Sequence, residues 1–391
     1  MDVLLVVDLA LFAIPILIFL SYGLVLLYYG KLSHQTRNTI SQSEVVSGVS
    51  YQPLVSIILP THNEEDVIGK RIENLFASDY PRDKMEVIVV DDSSDSTVAR
   101  IQSYTHSYPQ IRIIRFSQRM GYSPCLIAGC KAARGDIIVL AEAASLWDSK
   151  VITQLLSNFK DPDIGVVTGK ASVLNANEGA GRTESFYQRA YNFLRTAESN
   201  IDSTVYMRGE AAAVRREVIM GLEGVDTWPG TADTGLMLLA RKLGFRSVYD
   251  PQVVFFEYAP ATHGERVRQK VTRGANQMKI LWTFREILLR PRYGKFGMIT
   301  LPANLAMLAL VPPLLLAGLI LLAILTLMKP AVYFEIWAVG GLVLVLVLVF
   351  QRSALYTLIE SEYSLLKGLY DIIILKKSHD KIDKVMSTRR S

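Results

Sequence analysis

Apolar positions along the chain fall into two regimes. In the first they run on without interruption. Residues 9–29 and 296–328 contain no charged side chain, and residues 331–350 contain only Glu335. Each run is long enough to cross a bilayer, which takes ~20 apolar residues, and Pro312 and Pro313 predict a kink in the second. In the second regime short apolar runs alternate with amphipathic stretches. "PLVSIILP", "KMEVIVVDD", "IRIIRF" and "DIIVLAEA" are nearly unbroken apolar segments, the pattern of strands buried on both faces. Between them lie predicted helices. "THNEEDVIGKRIENLFAS" sets Ile68, Ile72, Leu75 and Phe76 on one side, "SSDSTVARIQSY" offers Ser or Asp as N-cap, and "SPCLIAGCKAARG" follows. Strands alternating with helices predict a doubly wound, Rossmann-like α/β sheet, which takes its ligands at the carboxyl ends of the strands.

The later half continues the alternation. "GVVTGKASVL" and "RSVYDPQVVFFE" read as strands, residues 182–199 as a helix, and "TADTGLMLLARKLG" as a helix capped by Thr231 and ended by Gly244. "ANQMKILWTFREILLRP" places Met278, Leu281, Trp282, Ile287 and Leu288 opposite Lys and Arg, and residues 354–375 repeat the spacing with Leu355, Leu358, Leu366, Leu369 and Ile373. Both adjoin apolar spans and are expected to lie on the membrane face as amphipathic interface helices. The expected organisation is an N-terminal span (1–30), a linker (31–52), an α/β domain (53–274), an interface helix (275–295), two spans (296–350), and an amphipathic C-terminal helix with a basic tail (351–391).

Composition agrees with this division. Half of the 391 residues are hydrophobic, and 42 Lys and Arg against 37 Asp and Glu leave a net charge of +5. The basic residues flank the spans: Lys31 and Arg37 follow the first, Arg285, Arg290, Arg292 and Lys295 precede the second, and Arg352, Lys376 and Lys377 follow the third. The N-terminus is therefore expected outside, with the α/β domain and the tail in the cytoplasm and three spans in all. The excess charge serves topology and contact with membrane lipids rather than nucleic acid. A cleaved signal peptide is disfavoured, because a basic leader and a small-residue cleavage site are both lacking. Cys125 and Cys130 fall on the reducing side, where a disulfide is not expected, and without paired histidines they are read as packing residues.

Polar residues gather where the strands stop: Thr61, His62, Asn63 and Glu64 after the first, Asp91 and Asp92 after the second, and Glu142 after the fourth. On these residues the chain resembles the inverting nucleotide-sugar glycosyltransferases of family 2, in the membrane-anchored branch that includes cellulose synthase, and more loosely archaeal membrane mannosyltransferases. "SIILPTHNEE" is similar to the family's opening strand and donor turn, and "VIVVDDSSDST" to its nucleotide-binding turn. "GDIIVLAEAAS" stands at its strand ending in Asp-any-Asp, and "TADTGLMLLARKLGFRSVYDP" resembles the segment supplying the catalytic base. "RQKVTRG" stands where cellulose synthases carry Gln-x-x-Arg-Trp. Arg273 matches, but Gln269 lies one residue early and Gly274 replaces the tryptophan, which puts a polymer-type acceptor in doubt.

The resemblance implies a GT-A-type domain with Asp233 as general base. It implies Pro60, His62, Asn63, Glu64, Asp91, Asp92 and Glu142 as donor-binding residues, and Gln269, Arg273, Trp228 and Gly209 as contacts to diphosphate or acceptor. It also implies Mg2+ or Mn2+ at Glu142 and at position 144, with His263 as a further candidate ligand. At 144, however, the chain has Ala where the family has an acid. Three accounts stay open: an inactive relative acting as a membrane scaffold, a site that holds its ion with Glu142, diphosphate oxygens and water, or an aspartate replaced by design.

The chemistry has its own logic. A leaving diphosphate gathers negative charge that a cation can neutralise, an acceptor hydroxyl needs a base, and single displacement inverts the anomeric carbon. A helix start at Asp233 is expected to favour its ionised form. The reading is transfer of a sugar from a nucleotide-sugar, GDP-mannose ahead of UDP-glucose, to a hydroxyl of a lipid-linked sugar or glycolipid, as in N-glycan or glycolipid assembly. A polyprenyl-phosphate acceptor is the alternative. Arg268 and Lys270 are expected in solvent, and Arg215 and Arg216 at solvent or headgroups.

Overall fold

The computed structural model describes residues 3–43, 51–177, 179–260, 262–331, 333 and 352–376. Nearly all of the third apolar run, 331–350, and the basic tail from 377 lie outside the described residues. Eight strands form one sheet: β1 (Val55–Thr61), β2 (Met85–Asp91), β3 (Ile111–Arg115), β4 (Ile137–Ala141), β5 (Leu146–Trp147), β6 (Ile164–Val173), β7 (Ala211–Arg215) and β8 (Arg246–Glu257). Their order is β3-β2-β1-β4-β7-β6-β8-β5. The first four are parallel, with Ile57 opposite both Val87 and Val139, whereas β7 runs antiparallel to β4 and to β6. The order reverses between β1 and β4, so their carboxyl ends frame a crevice.

The two-residue period of each strand sorts its side chains onto two faces. Ile58, Ile88, Val90, Ile138 and Leu140 join α4 (Tyr122–Ala132), α8 (Ala232–Lys242) and the end of α9 (His263–Thr283) in one core. Ile57, Leu59, Val87, Val89 and Val139 meet α2 (Ile68–Phe76), α3 (Thr97–Tyr104) and α5 (Val151–Ser157) in the other. Both faces of the central strands are sealed, which explains their unbroken apolar runs.

Four helices differ from expectation. Helix α2 begins only at Ile68. Residues 62–67 instead turn back over β1, with Asn63 in the left-handed region at φ 51° and its backbone N–H donating to Ser93 Oγ at 2.8 Å. Thr231 and Ser96 sit at N-caps without making a side-chain cap, and Asp95 Oδ1 accepts from Thr97 N instead. Helix α9 starts at His263 with a capping box between Thr262 and Glu265 and runs unbroken through 274, so the expected domain edge falls inside one helix.

Among the described residues two helices are long and apolar enough to cross a membrane: α1 (Val3–Ser43), over Val6–Tyr28, and α10 (Phe296–Met328). Helix α1 also continues into the expected linker. Helix α10 widens into π turns at Phe296–Thr300 and Ala306–Leu310, beside Pro302 and Pro312, where a proline ring would collide with a carbonyl of a regular turn. Helix α6 (Gly179–Ile201) ties both to the domain through Glu198. The fully buried Glu198 accepts from Tyr22 Oη at 2.6 Å, Asn304 Nδ2 at 2.7 Å and Thr204 Oγ1 at 2.9 Å, and pairs with Arg195 at 2.9 Å. The C-terminal helix α11 (Arg352–Ile373) crosses α9 where glycines allow it. A Cβ on Gly274 would meet Leu365 Cδ2 at 3.1 Å, and one on Gly368 would meet Ala275 N at 3.3 Å.

Candidate active site

A cavity of about 240 Å³ opens at the carboxyl ends of β1 and β4. It is lined by Pro60, His62, Glu64, Asp92, Glu142, Ala144, Asp233, Gln269 and Arg273, and so gathers most of the residues singled out from sequence. The turns after β1 and β2 interlock to build one end. His62 Nδ1 lies 2.8 Å from Asp92 Oδ1, while Asp92 Oδ2 accepts from Met120 N and Gly121 N, each at 2.8 Å. Asp91 and Asn63 are not among the lining residues. Asp91 is wholly buried, accepting from Thr61 Oγ1 and Ser93 Oγ at 2.7 Å each, and Asn63 Oδ1 accepts from Ser94 N at 2.9 Å. Both shape the turns that carry their neighbours.

Asp233 enters from the first turn of α8. Its Oδ1 accepts from Thr234 N at 2.8 Å, and Gly209 N–H donates to it as well. Burial nevertheless raises its pKa to about 7, and the carboxylates of Glu210 and Glu142 push in the same direction. The expectation of an acid held ionised by the helix start is therefore reversed. Desolvation and like charge outweigh two hydrogen bonds. Gly209 is where Asp233 needs no side chain: a Cβ there would lie 3.2 Å from Asp233 Oδ2 and 2.6 Å from Tyr122 Oη.

The far wall is one face of α9. Gln269, Arg273 and Gln277 all line the cavity. They are spaced by four, so they stack along a single helical stripe. Arg208, Glu210 and Glu257 line the cavity beside it, with Arg208 paired to Glu257 at 2.7 Å and to Glu210 at 3.3 Å, while behind the wall Arg266 pairs with Glu184 at 2.8 Å and with Glu360 of α11. Lys270 is not solvated. Its Nζ sits 4.7 Å from the Tyr187 ring centre and 3.2 Å from Ser361 Oγ, and burial lowers its pKa to about 7. Arg215 and Arg216 also turn inward. Arg215 donates to the carbonyls of Ile164, Phe159 and Asp161, and Arg216 to those of Ala133 and Gly135.

Two further expectations fail. Trp228 is no cavity residue. Its indole slots against Gly235 of α8 and meets Phe284 edge-on at 5.8 Å, so it packs rather than waits for a sugar. His263 faces α11, with Nδ1 3.1 Å from Glu360 Oε1, outside the cavity. The proposed metal set therefore does not converge. Position 144 brings a methyl group, Asp92 is taken by two backbone amides and His62, and Glu210 and Glu257 are tied to Arg208. Among the described residues no three His, Cys, Asp or Glu side chains come together so as to hold an ion. Hard divalent cations take six or more oxygen ligands, and Glu142 by itself does not make a resident site.

Sequence reasoning missed Arg119, Tyr122, Tyr187, Tyr191, Arg208, Glu210, Glu257 and Gln277, all of which line the cavity. The spacing of four from Arg273 would have found Gln277. Both cysteines are buried as expected, and Cys125 also reaches the cavity wall beside Asp92, its thiol pushed up to about 12 by burial.

Residues 56–222 match the model of the family described as Glycosyl transferase family 2, and the sheet has a GT-A-like fold. Over 252 residues the chain is 28% identical to a probable glycosyltransferase, YdaM, of Bacillus subtilis, covering 59% of this chain and 56% of that protein. It is 26% identical over 260 residues to an N-acetylglucosaminyltransferase of Bradyrhizobium diazoefficiens, covering 63% of this chain and 52% of that protein. The chain thus spans about half the length of the curated relatives it matches. Among solved structures, a mannosyltransferase of Pyrobaculum calidifontis in complex with GDP-Man and Mn2+ superposes with a TM-score of 0.72. The identity is 24%, covering 96% of this chain and 100% of that one.

Proposed function

We propose that the chain is a membrane-bound, inverting glycosyltransferase that moves a sugar from a nucleotide-sugar to a hydroxyl of a lipid-linked sugar or glycolipid. The observation that carries this reading is Asp233, a buried carboxyl at the cavity with a pKa of about 7. A base poised near working pH is half ionised and still basic enough to accept a hydroxyl proton.

In this mechanism the nucleotide lies against His62, Glu64 and Asp92, and the sugar reaches towards Glu142. The acceptor hydroxyl approaches Asp233. Its oxygen bonds to the anomeric carbon as its proton passes to Asp233, and the bond to the diphosphate breaks on the opposite face, inverting the centre. Arg273, backed by Gln269, meets charge gathering on the diphosphate, since a planar guanidinium fits phosphate oxygens. The residues present do not build a divalent-cation site, so no step is routed through one.

The acceptor is assigned to the membrane because apolar surface is concentrated beside the two apolar helices. Trp282, Leu289, Tyr363 and Ile373 are all more than half exposed, at 60%, 59%, 56% and 63%. Such faces lie readily at a lipid interface. The basic residues around α10 support a cytoplasmic domain with the N-terminus outside. GDP-mannose heads the donor panel, because the mannosyltransferase sharing this fold was solved with GDP-Man. An N-acetylglucosamine donor follows, after the relatives that carry that activity in their names.

The test is purified protein with radiolabelled donors and a membrane-lipid extract. Label in the lipid fraction, lost in Asp233→Asn, supports the reading. Transfer that survives Asp233→Asn assigns a phosphate acceptor instead, because an ionised oxygen needs no base. No transfer and no nucleotide binding would leave a scaffold.

A further inference from the structure

We propose that Tyr122 is a further binding residue of this cavity, donating a hydrogen bond to a hydroxyl of the transferred sugar and so helping to select which sugar is accepted. The inference rests on the transferase reading above and adds to it a residue that neither the strand-end pattern nor the family resemblance marks.

Tyr122 is the first residue of α4 and follows Gly121, whose φ of 91° turns the chain into the cavity. The two amides held by Asp92, those of Met120 and Gly121, fix where the ring begins, and the ring packs against the core around α4 and α8. Its hydroxyl oxygen is sealed from the exterior and has no hydrogen-bond partner among the described residues. It lies over Gly209, 2.6 Å from the point a Cβ would occupy, and Asp233 Oδ2 is 3.2 Å from that same point. The charged groups acting on it are Glu142, Asp233 and Glu210, all carboxylates, and with burial they hold the phenol well above its usual pKa. It therefore stays protonated and can donate.

A donor unpaired in a closed site is costly unless a ligand completes it. Charge decides which part of the donor does so. A diphosphate among three carboxylates would be repelled, and the base belongs at the His62 and Asp92 turn. A sugar hydroxyl both donates and accepts, so it can accept from Tyr122 while donating to a neighbouring carboxylate. Sites that pair a substrate hydroxyl in this way reject analogues lacking it.

The test uses the full chain in detergent and Tyr122→Phe, which removes one oxygen and leaves the ring, with the melting temperature measured to verify the fold. Both proteins are titrated with GDP and UDP, with GDP-mannose and UDP-N-acetylglucosamine, and with single-deoxy versions of whichever sugar nucleotide binds. The variant should bind the free diphosphate within twofold of the parent and the sugar nucleotide about tenfold more weakly. One deoxy analogue should bind the parent as weakly as it binds the variant. Equal loss for diphosphate and sugar nucleotide, or no loss for either, overturns the inference while leaving the transferase reading intact. If neither protein binds any nucleotide, the transferase reading itself fails and takes the inference with it.

Discussion

Replacing Asp233 by Asn separates chemistry from stability, and the two should move in opposite directions. The carboxyl has a pKa of about 7 in the folded protein against 3.8 for an ordinary Asp, chiefly because it is buried. A raised folded pKa means that the native state binds the proton more tightly than the unfolded chain does. Stability from this group is therefore fully present below pH 3.8 and is lost progressively as pH rises through the window to about 7. At about 1.4 kcal/mol per pKa unit, holding the group ionised at pH 8 costs on the order of 4 kcal/mol.

Asn carries no such charge. The variant should be no more stable than the parent at pH 4. It should gain on it steadily between pH 4 and 7 and keep a constant advantage of a few kcal/mol above that. Transfer to a hydroxyl should meanwhile fall roughly a hundred- to ten-thousandfold, the usual worth of a positioned base. In the parent, transfer should rise with pH to a plateau above about 7, as the base ionises. Chemical denaturation at several pH values, run beside a transfer assay, reads both effects. An advantage that is independent of pH, or that grows toward acid, would refute the reasoning.

Other outcomes follow from the same contacts. Gly209→Ala should abolish most transfer and also lower the melting temperature, because the new methyl would lie 2.6 Å from Tyr122 Oη and 3.2 Å from Asp233 Oδ2 and both must shift; steady-state kinetics with a thermal melt decides it. Ala144→Asp should supply the second carboxylate beside Glu142 and strengthen Mn2+ binding at least about tenfold, read by electron paramagnetic resonance on free Mn2+. Glu198→Ala leaves Arg195 buried without its partner and cuts the bonds to Tyr22 and Asn304. It should destabilise the protein by about 3–5 kcal/mol, measured by denaturation in detergent, and wild-type stability in that variant would contradict the assigned role.

Legibility from sequence followed how local the cause was. The central strands could be read because burial on both faces leaves an unbroken apolar run, and the crevice followed from alternation of strands and helices. His62, Asp92, Glu142 and Asp233 could be found because each follows a strand or begins a helix. What could not be read depended on distant partners. Arg215, Arg216 and Lys270 look like surface charge until the carbonyls of Ile164 and Gly135, or Ser361 and the Tyr187 ring, come alongside. Tyr122 and Trp228 are both aromatic residues near a helix start. The difference between a cavity wall and a packing slot lies in Gly209 under one and Gly235 under the other. The pKa of Asp233 departs from expectation because the helix end is visible in sequence, whereas its burial, and after that the carboxylates of Glu210 and Glu142 beside it, are not.

The central claim is that one cavity binds a nucleotide-sugar and passes its sugar to a lipid with Asp233 as base. The most direct measurement reconstitutes the full chain in liposomes containing membrane-lipid extract, supplies GDP-mannose or UDP-N-acetylglucosamine, and counts nucleoside diphosphate released against sugar recovered in lipid. The account predicts one diphosphate per lipid-bound sugar, with the new linkage inverted relative to the donor and both signals lost in Asp233→Asn. Diphosphate release without lipid product, a retained anomeric configuration, or equal transfer by the Asn variant would contradict it.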